Sequence, residues 1–128
     1  MLLITLMLSA IAPIEMIAAG GIVRLNYYTE RSSKFGYRTE RSTASEEAWK
    51  YANRYCGALW IKLGLMAILP SLGAAYLMTR VLSERQAIAA VLIMQAAEAA
   101  VIYTIAHSRV EKALAKRFDA EEKTDDNV

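Results

Sequence analysis

The chain has 128 residues, more than half of them hydrophobic, and a formal net charge of +2. That length holds one domain, and its single cysteine, Cys56, excludes an intrachain disulfide. One cysteine and one histidine cannot make a zinc centre, and the chain has no phosphate-binding loop, dinucleotide fingerprint or HExxH motif, so neither a cofactor nor catalysis is expected.

The first element is an apolar run over residues 2–23. Two more follow, over residues 59–78 and 86–106. Each is about 20 residues long, and at about 1.5 Å per residue each reaches across a hydrocarbon core of about 30 Å. A backbone in lipid must satisfy its own hydrogen bonds, so each run is expected to be a helix. Soluble helices carry a charged outer stripe, which the second and third runs lack. No Lys or Arg precedes the first run, so it reads as a retained span rather than a cleaved leader. Pro13 and Pro70 remove a backbone hydrogen bond each and are expected to kink their spans. Gly20, Gly21, Gly64 and Gly73 would let helices approach closely.

Between the first two runs lies a basic, aromatic segment, residues 24–58. Gly36 can take positive φ, so residues 35–39 read as an ordered turn. Thr43 and Glu46 have capping-box spacing, with Ser45 as the rival cap, and Glu46 and Glu47 would occupy a helical first turn. From there Trp49, Ala52, Tyr55 and Cys56 share one face, with Lys50, Asn53 and Arg54 away from it. This predicts a cytoplasmic amphipathic helix in the membrane interface that runs into the second span. Cys56 is expected as a packed thiol, with palmitoylation as the alternative.

A tight turn around Leu82-Ser83-Glu84 should join the second and third spans. Beyond the third span, Val110, Leu114 and Phe118 fall four apart among basic residues, which predicts an amphipathic tail helix over residues 108–120. Residues 121–128 are acidic and polar and are expected to be disordered.

Charge placement sets the topology. Residues 24–58 hold seven Lys or Arg and the tail from His107 holds five, against two in the turn near residues 79–85. With three spans the two basic segments share a face, which the positive-inside rule makes cytoplasmic, with the N-terminus outside and the C-terminus inside. The basic residues stand where topology needs them, so no nucleic-acid partner is expected.

Four polar residues fall within the runs: Glu15, Lys62, Gln95 and Glu98. With the first and third spans parallel, the two acids lie at similar depth. A charge there costs about 2.5–3.5 kcal/mol on insertion scales, so the acids should face the bundle interior. The functional reading is one buried cluster of Glu15, Glu98, Gln95 and Lys62 that binds a proton, a cation or a polar ligand group. The bland reading is helix packing for the acids and snorkelling for Lys62. Outside the bilayer, Tyr37 and Arg38 are the candidates. Arg38 would clamp a phosphate or an acidic partner, or it would cap helix ends while Tyr37 anchors at the interface.

Gly36-Tyr37-Arg38-Thr39, followed by Ser42, Ser45, Glu46, Trp49, Ala52-Asn53 and Gly57 and then directly by a span, resembles the SdpI family of bacterial integral membrane proteins. Ser32 and Ser33 depart from the Asn or Pro expected before the turn. The resemblance implies a bacterial inner-membrane protein with two roles. One is immunity to a membrane-active peptide toxin, and the other is signalling by holding a cytoplasmic regulatory protein at the membrane. Its recognition surface would be Gly36, Tyr37, Arg38, Thr39, Ser42, Ser45, Glu46, Trp49 and Asn53.

The expected fold is therefore all-α, an integral membrane bundle of three transmembrane helices with a cytoplasmic amphipathic helix between the first and second. The expected function is binding. The rival readings are a small oligomeric transporter or channel-like protein built around the carboxylate cluster, and a structural subunit of a larger membrane complex.

Overall fold

The computed structural model describes residues 1–25 and 36–119. Arg31 and Lys34 of the basic segment, and the expected disordered tail at 121–128, lie outside the described residues.

Every regular element among them is helical. Helix α1 (Leu2–Ser9) and helix α2 (Ile11–Leu25) together form the first span. A one-turn helix α3 (Glu40–Thr43) leads into α4 (Glu46–Val81), and α5 (Glu84–Leu114) ends in a π-helical turn, Ala115–Asp119. Three helical stretches are long and apolar enough to cross a membrane: Leu2–Leu25, Glu46–Val81 and Glu84–Asp119. Their outward side chains include Leu3, Met7, Ile14, Leu65, Leu69, Leu77, Leu92 and Ile93, all exposed as lipid-facing residues would be.

The amphipathic segment expected at residues 46–58 is not a separate helix. It forms the first turns of α4, which runs unbroken for 36 residues. At about 1.5 Å per residue α4 is about 54 Å long and overshoots the hydrocarbon core. Its cap is Ser45, whose side chain accepts the Ala48 N–H at 3.0 Å. The capping box sits one helix earlier, between Thr39 and Ser42 rather than Thr43 and Glu46. The tail likewise continues α5, and Val110 and Leu114 are buried against the rest of the chain.

The two prolines act differently. The first span breaks at Ala10, and Pro13 has no N–H for the Ser9 carbonyl one turn back. Helix α4 continues through Pro70.

Helix α2 packs antiparallel on α4 through small residues. A Cβ on Gly20 would lie 2.7 Å from the Gly57 carbonyl oxygen, and one on Gly57 would lie 2.5 Å from both the Gly20 oxygen and the Arg24 nitrogen. A Cβ on Gly64 would meet the Pro13 oxygen at 2.9 Å. These backbones touch because no side chain separates them. Gly21 and Gly73 have nothing within 4 Å, so they serve no close helix approach within this chain.

Candidate functional site

Two polar networks hold the residues singled out by the sequence. The first is at the loop end of the bundle. Gly36 has φ 113°, in the region only glycine adopts freely, and this turns the chain onto α4. The Tyr37 N–H then donates to Asn53 Oδ1 at 2.8 Å, while Asn53 Nδ2 donates to the Trp49 carbonyl at 2.9 Å. Ser42 Oγ accepts the Thr39 N–H at 2.7 Å and lies 3.1 Å from the Tyr37 carbonyl. Trp49, Ala52 and Asn53 are fully buried. The buried face of α4 thus includes Asn53, which the helical pattern had placed outside; its carboxamide is drawn in as the partner of an otherwise orphaned amide. Lys50 and Arg54 are exposed, as the pattern predicts.

Tyr37 is 7% exposed, and its hydroxyl donates to Glu111 Oε1 at 2.7 Å, with His107 Nδ1 at 3.3 Å. Burial and the Glu111 hydrogen bond push the Tyr37 phenol well above its ordinary range. At Glu111, burial by itself raises the carboxyl, but hydrogen bonds from Thr39, Tyr37 and Arg41 outweigh it and hold the carboxyl below its usual value. Arg41 adds exposed ion pairs to Glu111 at 3.3 Å and Asp119 at 3.5 Å. Beside this network lies an open polar cleft of about 700 Å³, lined by Thr39, Glu40, Arg41, His107, Glu111 and Asp119 among others. Arg38 is exposed, its guanidinium 5.8 Å from the centre of the Trp49 ring. Ser45 and Glu46 are taken up by the start of α4, Ser45 as its cap and Glu46 in an exposed pair with Lys50 at 3.2 Å.

The second network is among the spans. The Ala12 N–H donates to Gln95 Oε1 at 2.6 Å, and Gln95 Nε2 donates to the Ser9 carbonyl at 2.9 Å. One side-chain amide on α5 thus serves both backbone groups left free at the break before Pro13. Gln95 Nε2 also reaches Glu98 Oε2 at 3.2 Å, and Ser71 Oγ donates to Glu98 Oε1 at 2.5 Å.

The expected four-residue cluster is split. Gln95 and Glu98 meet, whereas Glu15 and Lys62 are exposed. The reason is helical rotation. Glu15 is two residues from Pro13, and Lys62 two from Gly64, so each points about 200° away from the face that packs α2 on α4. Lys62 instead lines a separate cleft with Arg24. The sequence reading also missed Ser71, His107 and Glu111 as network members. The seven-residue spacing of Gly57, Gly64 and Ser71 marks one face of α4, and the four-residue spacing of His107 and Glu111 one face of α5; either was available as a signal.

Comparison with known proteins places this architecture. The model of the SdpI/YfhL protein family matches residues 29–106, which include the loop motif, α4 and most of α5. The uncharacterized protein YfhL of Bacillus subtilis (strain 168) is 41% identical over 51 residues, covering 40% of this chain and 46% of that relative. The matched region thus spans about half the length of the curated relative. No solved structure matches.

Proposed function

The chain belongs to the SdpI/YfhL protein family, and on that premise we propose that it is a non-enzymatic binding protein of the bacterial inner membrane. It acts in immunity to a membrane-active peptide toxin, or in signalling by holding a cytoplasmic regulatory protein. Its binding face is the loop end; the twelve Lys and Arg of the basic segment and tail support a cytoplasmic position for it, with the N-terminus outside.

The observation that carries this reading is the division of labour within the motif. Tyr37, Ser42, Trp49 and Asn53 are buried and build the loop. That leaves Arg38 exposed on the loop whose next residues, Thr39, Glu40 and Arg41, line the polar cleft. A preformed cleft binds without the cost of ordering a loop, and a guanidinium offers a planar, bidentate donor to a carboxylate or phosphate.

The test is expression in a peptide-sensitive bacterial strain. Resistance should rise with the wild-type chain and fall with Arg38→Ala at equal amounts in the membrane. Full protection by Arg38→Ala would remove the loop from the recognition role.

A further inference from the structure

The groove between α4 and α5 lies among the spans, apart from the loop end, and it is lined by apolar residues that include Leu63, Met66, Pro70, Val101, Ile102 and Ile105. Among the described residues, its only polar lining residues are Ser71 and Glu98. Its volume is about 540 Å³, within the range of about 300–1,000 Å³ typical of small-molecule sites. Both walls are spanning helices, so the groove opens sideways to lipid, and a ligand must be soluble there to reach it.

The carboxyl group is built into this groove rather than left by chance. Ser71 Oγ donates to one oxygen at 2.5 Å and Gln95 Nε2 to the other at 3.2 Å, which fixes the group's orientation. Gln95 is itself locked by its two backbone bonds at Ala12 and Ser9. A carboxylate accepts about four hydrogen bonds, so capacity remains on the groove side. Among the described residues no Lys or Arg lines the groove to use that capacity, and Lys62 opens onto a different cleft. The groups facing Glu98 are Ser71 from α4 and Gln95 from its own helix, and neither titrates.

We propose that this groove binds a lipophilic organic cation, its charge matched by the Glu98 carboxylate and its apolar body held by the walls of α4 and α5. An anion is repelled, a neutral apolar molecule leaves the carboxylate unmatched, and a metal ion finds too few oxygen ligands. This assignment does not rest on the role proposed for the loop.

The test is equilibrium binding of tetraphenylphosphonium to the full chain in lipid nanodiscs, with the anion tetraphenylborate as the charge control. The expected result is saturable binding of the cation alone, weakened roughly tenfold or more in Glu98→Gln, as for loss of one desolvated charge partner. Ala67→Trp, which fills the groove and keeps the carboxyl group, should also abolish binding; with the tetraphenylborate control it decides the matter if Glu98→Gln fails to fold. Equal uptake by wild type and Glu98→Gln, equal binding of tetraphenylborate, or unchanged binding in Ala67→Trp would each overturn the proposal.

Discussion

Asn53 and Gln95 are both carboxamides, both buried, and both accept a backbone N–H from another segment, of Tyr37 at 2.8 Å and of Ala12 at 2.6 Å. Their surroundings differ. Asn53 returns its own N–H to Trp49 in its own helix and closes a network whose purpose is to seat the loop. Gln95 reaches two ways, to Ser9 across the bundle and to Glu98, whose carboxyl group opens on a lipid-facing groove. The same chemistry thus terminates in structure at the loop end and in an open acceptor within the membrane. A polar residue in a membrane helix is not a site by virtue of being polar; what decides is whether its hydrogen bonds end inside the fold.

Substitutions can break this comparison, in order of expected effect. Gly57 is the point where α4 meets α2 and the loop-end core begins. Gly57→Ala forces apart two backbones and should destabilise the fold by about 1–3 kcal/mol, read as a lowered melting temperature in detergent. Gly73→Ala, with open space around it, should change stability by less than about 1 kcal/mol. Next comes the carboxamide pair itself. Asn53→Ala leaves the buried Tyr37 N–H without a partner and should cost about 1–3 kcal/mol. Gln95→Leu leaves both the Ala12 N–H and the Ser9 carbonyl without their side-chain partner and should cost as much or more. A loss from Asn53→Ala alone would show that Gln95 does not hold the break before Pro13.

The smallest effect is on pH dependence. The Glu111 carboxyl is held below its unfolded value by the bonds it receives. Its contribution is therefore fully present above the ordinary carboxyl range of about 4.3 and is lost as pH falls through the lower folded value. Acidification into that range should loosen the loop, seen as faster protease cleavage near Arg38 and Arg41. Tyr37→Phe, which removes the donor at 2.7 Å, should flatten that dependence.

The spans, their number and the loop motif were legible because lipid demands long apolar helices and because Gly36-Tyr37-Arg38-Thr39 is a recognisable string. What was not legible was rotation about each helix axis. Glu15 and Glu98 lie at similar depth in the sequence reading, yet depth says nothing of azimuth, and the Gly20–Gly57 crossing turns Glu15 outward. Asn53 was misplaced for the complementary reason. Helical periodicity ranks side chains by hydrophobicity, and it cannot see that a loop amide 16 residues earlier needs an acceptor. Pro13 was read as a kink, but the partner that makes its break tolerable is a glutamine 82 positions later, a pairing only tertiary structure discloses.

Amide hydrogen exchange on the chain in nanodiscs tests the account most directly, because the Tyr37 amide in the loop and the Ala12 amide in α2 are each bonded to a side chain of a distant helix. The account predicts that both exchange as slowly as amides inside α4. Exchange of both at the rate of unstructured peptide would contradict it.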